Sequence, residues 1–192
     1  MLYSKGNYLK LIIGPMFSSK SSSLLKEINR YKYITNNILV INHKLDKKRY
    51  TDNSSNLRTH DSESVESLML ESLSELTLID NYINADIILI DEGQFFNDLY
   101  VFIKNELQKN TKKIFIIAGL SSDINMNPIG DIINLIPLAD DIIKLSALCI
   151  YCKDGTNANF TQLKKSEINE KGSFCVAGID KYEPVCRFHF NG

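Results

Sequence analysis

Residues 8–21 read YLKLIIGPMFSSKS. A short β-prone run, Tyr8 to Ile13, stops at Gly14-Pro15. The segment Ser21 to Tyr33 then places Leu24, Leu25 and Ile28 on one face, because residues three and four apart are neighbours on a helix. Between strand and helix, Gly14-Pro15-Met16-Phe17-Ser18-Ser19-Lys20-Ser21 fits the phosphate-loop pattern G-x-x-x-x-G-K-[ST], with Ser19 in place of the second glycine. The spacing has a physical reason. Backbone N–H groups curl around phosphates, and the helix N-terminus adds partial positive charge. Lys20 would reach the β- and γ-phosphates of ATP, and the Ser21 hydroxyl would bind Mg²⁺. If position 19 needs a positive φ, a side chain there costs about 1–2 kcal/mol.

Working outward, buried strands are expected at Ile38–Ile41, at Asp86–Ile90, at Ile114–Ala118 and within Asp140–Leu148. Helices are expected at Leu68–Leu78 and Asp98–Lys109. Strands alternating with helices predict an α/β fold of the phosphate-loop NTPase type, a parallel sheet flanked by helices. Ligands bind such sheets beyond the carboxyl ends of the strands, here after Ile13, Ile90 and Ala118. The polar stretch Asn42–Ser62 is long for a plain connector and reads as a functional loop. From about residue 147 the sequence becomes turn-rich, so residues 1–146 are expected to form the ATP-binding domain and 147–192 a small zinc-binding domain.

Asp91-Glu92 ends the run Ile87-Ile88-Leu89-Ile90. Beside a phosphate loop, Asp91 fits the second Mg²⁺ contact, made through water. Glu92 fits a general base that aligns and deprotonates an acceptor hydroxyl. On its own, the acidic pair could equally cap a turn.

Cys149-x2-Cys152 and Cys186-x2-His189 pair as two chelating units, the pattern of a structural Cys₃His zinc site. Cys175 is the alternative fourth ligand if His189 lies on the surface. Such a site is closed, so it fixes a loop and does not catalyse.

The 192 residues are 44% hydrophobic and 23% charged, with 22 basic and 23 acidic side chains and a net charge of −1. That balance lacks the basic footprint of a nucleic-acid binder. The cluster Lys44, Lys47, Lys48 and Arg49 reads as a solvated loop. No apolar run nears the ~18 residues of a membrane span, and residues 1–8 do not resemble a secretory signal. A cytoplasmic protein with reduced thiols is expected.

Taken together, these residues resemble the thymidine kinase family of the cellular and poxviral type, along nearly the whole chain. The loop from Gly14 to Ser21 is similar to that family's GPMFSGKS or GPMFSGKT, and Asp91–Phe96 to its DEGQFF stretch. Arg49-Tyr50, Thr59-His60-Asp61, Asn134–Pro137, Lys144–Ala147, Asp180–Tyr182 and Val185–Arg187 support the match. The resemblance implies transfer of the ATP γ-phosphate to a nucleoside 5′-hydroxyl, with Glu92 as base. It implies a thymine site formed by Met16, Phe95, Leu120 and Ile124. It places a loop of about Phe160 to Tyr182 over the nucleoside, with Ser173, Phe174, Cys175, Val176 and Ala177 offering main-chain groups and Tyr182 supporting the sugar. Asp61 and Thr161 join this substrate set. A homotetramer inhibited by thymidine triphosphate is implied as well, without nucleic-acid or membrane partners.

The sequence departs from the family pattern at Ser19, at Ser62, at Ser121-Ser122-Asp123, at Leu163, and at Ile124 and Ile129, where aromatic residues are usual. A related kinase preferring deoxyuridine or a modified pyrimidine is one alternative. A non-catalytic nucleotide-binding module with a zinc ribbon is another.

Overall fold

The computed structural model describes residues 6–49, 56–58, 64–164 and 181–190. Strand β1 (Tyr8–Gly14) leads into helix α1 (Lys20–Tyr31) and β2 (Ile38–His43). A short hairpin, β3 (Asn56–Arg58) with β4 (Ser64–Glu66), precedes β5 (Leu68–Leu70). Helix α2 (Asp80–Asn84), β6 (Ile87–Ile90), α3 (Leu99–Gln108), β7 (Ile114–Leu120) and β8 (Asp141–Lys144) follow. The remaining elements are β9 (Ala147–Leu148), β10 (Asn157–Ala158), β11 (Phe160–Leu163), β12 (Tyr182–Val185) and the single turn α4 (Arg187–Phe190).

Six strands form one parallel sheet in the order β5-β2-β6-β7-β1-β8. Side chains of a strand alternate between the two faces, and both faces of a parallel sheet are covered. Leu9, Leu11, Ile13, Ile88, Ile90, Phe115 and Ile117 therefore join one apolar layer with Leu99, Phe102 and Ile103 of α3. Ile12, Val40, Ile87, Leu89, Ile114 and Ile116 join the other with Leu24, Leu25, Ile28 and Tyr31 of α1. Lys10 lies on the α1 side of β1, where its ammonium pairs with Glu27 at 2.9 Å and Asp141 at 3.0 Å. This ties the helix and the edge strand to β1.

The sequence predicted one helix over Leu68–Leu78. The chain instead forms β5 and a separate 3₁₀ helix, Leu73–Leu78. Ser72 divides them: its hydroxyl accepts from the Ser74 N–H at 3.3 Å, and the Glu75 carboxylate accepts from the Ser72 N–H at 3.1 Å. This capping box starts a helix at Leu73, which leaves Leu68–Leu70 free to pair with Ile41–His43 of β2. The polar stretch after Asn42 also contains order, a 3₁₀ helix at Lys44–Arg49 and strand β3.

Candidate active site

The loop joining β1 to α1 turns through left-handed backbone at Phe17 (φ 64°) and at Ser19 (φ 61°, ψ 34°). The glycine slot of the pattern is thus a true positive-φ position, and Ser19 carries that strain. Two side chains brace the loop from inside. The Lys20 ammonium donates to the Pro15 carbonyl at 2.6 Å, and the Ser18 hydroxyl donates to the same oxygen at 2.8 Å. Gly14 is required by close approach, because a Cβ there would lie 2.7 Å from the Leu145 carbonyl oxygen.

Asp91 stands at the carboxyl end of β6. The Ser21 hydroxyl at the start of α1 donates to its carboxylate at 2.8 Å, so two side chains 70 positions apart meet at one point. Burial raises the Asp91 pKa to about 7, with the neighbouring Glu92 charge adding to the shift; the Ser21 hydroxyl and the Glu92 N–H oppose it. Glu92 itself has left-handed backbone (φ 52°) and is half-buried. Gln94, which motif reading left without a role, connects this acid to the next strand. Its amide N–H donates to the Glu92 carboxylate, while its carbonyl accepts from the Leu120 N–H at 2.9 Å. The one signal available in the sequence was a glutamine inside an otherwise apolar turn.

Met16, Leu120 and Tyr182 form an apolar cluster at these strand ends, with Ile124, Ile129 and Leu163 packed against it. Thr161 reaches the same place, its hydroxyl oxygen accepting from the Met16 N–H at 2.9 Å. Elements distant in sequence thus converge on one apolar wall beside the Gly14–Ser21 loop.

Behind the β11–β12 hairpin lie Cys149, Cys152, Cys186 and His189, whose ligand atoms are all within 4.8 Å of one another. The His189 Nδ1 is 3.5, 3.4 and 3.3 Å from the sulfurs of Cys149, Cys152 and Cys186, and the Cys152 and Cys186 sulfurs are 3.8 Å apart. Zinc bonds of about 2.3 Å to sulfur and about 2.0–2.1 Å to nitrogen give tetrahedral edges of about 3.8 Å and about 3.6 Å. The four residues fit a tetrahedral zinc ion, with Nδ1 as the histidine donor. Burial raises the Cys149 thiol pKa, but N–H groups of Cys186, Cys152 and Tyr151 outweigh that and hold it at about 6, which favours the thiolate a metal needs.

A family model described as thymidine kinase matches residues 7–190. The chain belongs to the thymidine kinase family. It is 39% identical over 184 residues to the thymidine kinase of Yaba monkey tumor virus, covering 96% of this chain and 94% of that one. It is 37% identical over 191 residues to the thymidine kinase of Choristoneura fumiferana entomopoxvirus, at 95% and 96% coverage. The thymidine kinase of Myxoma virus, strain Uriarra, is 37% identical over 183 residues, with 95% of each covered.

Of the residues that resemblance to thymidine kinases assigned to substrate, the structure gathers Met16, Leu120, Ile124, Thr161 and Tyr182. Phe95 is half-buried just beyond Glu92, its ring tilted against His43 at 5.8 Å. Phe160 lies with the metal-site residues, in the cluster of Ala147, Cys149, Ala158, Val185 and Cys186, with its ring 5.2 Å from Phe190. Asp61, Ser173, Phe174, Cys175, Val176 and Ala177 lie outside the described residues, as do Tyr50, Thr59 and His60. Among the described residues, no helix is long and apolar enough to cross a membrane.

Proposed function

We propose that this chain transfers the γ-phosphate of ATP to the 5′-hydroxyl of thymidine, giving thymidine monophosphate and ADP. The observation that carries the reading is the meeting of Ser21, Asp91 and Glu92 beside the apolar wall of Met16, Leu120 and Tyr182. Gly14 to Ser21 would hold the ATP phosphates with their N–H groups, and Lys20 would leave the Pro15 carbonyl for the β- and γ-phosphates. The Ser21 hydroxyl and Asp91 carboxylate are oxygen donors of the kind Mg²⁺ takes, and the ion would neutralise charge on the phosphates. Glu92, oriented by the Gln94 amide, would align the nucleoside hydroxyl and accept its proton. Met16, Phe95, Leu120, Ile124, Thr161 and Tyr182 would hold the nucleoside, and the segment between β11 and β12 would exclude water that competes for the phosphoryl group.

Zinc would fix the ends of that segment. The proposal also includes the division into residues 1–146 and 147–192 and a cytoplasmic location, both read from the sequence, with a homotetramer and feedback inhibition by thymidine triphosphate as family resemblance implies.

The test is transfer of labelled phosphate from ATP and Mg²⁺ to a panel of deoxynucleosides, with Glu92→Gln in parallel. Labelled thymidine monophosphate is expected from the wild type, and at least about 100-fold less from Glu92→Gln with ATP binding retained. Normal turnover in that variant would remove Glu92 as base. Preference for deoxyuridine over thymidine would assign the altered specificity to the aliphatic wall at Ile124 and Ile129, which cannot stack as a ring does.

A further inference from the structure

The β11–β12 hairpin has two faces. Its register pairs Phe160 with Val185, Thr161 with Pro184, Gln162 with Glu183 and Leu163 with Tyr182. Thr161, Leu163 and Tyr182 face the loop after β1 and the apolar wall. Phe160 and Val185, on the other face, pack into the metal lobe.

Glu183 shares that second face and is a buried acid, 5% exposed. Its carboxylate accepts from the Tyr151 hydroxyl at 2.5 Å and from the Gln162 amide at 2.8 Å. Tyr151 directly precedes Cys152 in the Cys149–Cys152 turn, and the Pro184 carbonyl accepts from the Ile150 N–H at 3.2 Å. The metal turn and the hairpin therefore meet at one carboxylate. Nothing in the phosphate chemistry accounts for a buried acid there, and burying one is costly unless it holds specific donors.

We propose that Glu183 is a positioning residue for the nucleoside site: it locks the hairpin to Tyr151 of the metal turn, so that the opposite face holds Thr161 on the Met16 N–H and Tyr182 against the apolar wall. The lock is mechanical. Adjacent residues of a strand point to opposite faces, so pinning the Glu183 side fixes the height and twist at which Thr161 and Tyr182 are presented. Sub-ångström looseness at such a face costs binding and alignment. The functional half of this proposal rests on the nucleoside-kinase reading.

The test uses full-length, zinc-loaded protein and three variants. Glu183→Leu removes the acceptor; Tyr151→Phe removes only the hydroxyl donor; Glu183→Gln keeps a carbonyl that can accept from both partners. Two readouts are taken, amide hydrogen exchange at Met16 without substrate, and the KM for thymidine at saturating ATP, with zinc content verified for each variant. Glu183→Leu and Tyr151→Phe should speed Met16 exchange and raise the thymidine KM, each by about tenfold, while Glu183→Gln stays within about threefold of wild type. A role confined to stability would lower the folded fraction and leave KM in place, and that result would overturn the proposal. So would unchanged Met16 exchange in Glu183→Leu and Tyr151→Phe, whatever the activity. If no nucleoside is phosphorylated by the wild type while Met16 exchange responds as expected, the kinase reading fails and the lock stands.

Discussion

Ser19 and Asp91 each hold an energetic cost at the site. Ser19 adopts φ 61° where the motif normally has glycine. Removing its side chain relieves about 1–2 kcal/mol of left-handed strain and returns about 0.5–1 kcal/mol as glycine's extra chain entropy. Ser19→Gly should therefore gain about 0.5–1 kcal/mol, seen as a higher urea midpoint with an unchanged slope. Asp91 gives a pH signature. Its folded pKa of about 7 exceeds the usual carboxylate value, chiefly through burial. Between about pH 4 and pH 7 the folded state then binds more protons than the unfolded chain, so stability falls as pH rises through that window. In magnesium-free buffer the decline should be on the order of 4 kcal/mol, and urea titrations of Asp91→Asn should lack it. The motif pattern marked both positions and anticipated the strain at Ser19, but Asp91 sits in contacts such as that with Ser21, 70 residues away, which no local reading supplies. Gln94 escaped notice for the same reason, since its partner Leu120 belongs to another strand.

Elements were legible where each had one dominant period. Strands β6 and β7 are continuous apolar runs, β1 is one interrupted by Lys10, and α1 carries a clean apolar stripe. The error at Leu68–Leu78 arose because Met69, Leu73 and Leu76 also have helical spacing; the S-x-x-E capping signal at Ser72–Glu75 was the better guide. Helix α2 has five residues, too few for a period to show, and its end is secured from outside. The buried Lys113 ammonium donates to the carbonyls of Tyr82 at 2.8 Å, Ile83 at 3.0 Å and Ala85 at 2.5 Å, and lies 5.1 Å from the Tyr82 ring centre. Those acceptors are the orphan carbonyls of a helix terminus. Lys113→Met keeps the stem's packing and strips their donor. It should cost about 2 kcal/mol in urea unfolding and leave phosphate transfer per folded molecule unchanged, because Lys113 precedes β7 at the pole opposite the site.

At the scale of the whole molecule, two unequal cores divide the work. The sheet has an apolar layer on each face, whereas among the described residues the metal lobe's buried hydrophobic cluster is Ala147, Cys149, Ala158, Val185 and Cys186. Five small or medium side chains do little to offset the ordering of the surrounding loops, so the prediction is that metal binding supplies the lobe's folding energy. The cysteine and histidine spacing foretold that Cys149, Cys152, Cys186 and His189 gather at one point. The hairpins they organise are only two to four residues per strand and left no pattern to read. Elemental analysis should find about one zinc per chain. A strong chelator should then release the lobe alone: amides of β9 to β12 exchange rapidly, while those of β1, β6 and β7 keep their protection. Because Thr161 and Tyr182 are presented by that lobe, nucleoside phosphorylation should disappear with the metal and return when zinc is restored. ATP binding at the Gly14–Ser21 loop, which is anchored in the sheet, should survive its removal. Full activity in metal-free protein would mean that the small core holds itself, and loss of protection across the central strands would mean that the two cores fold as one.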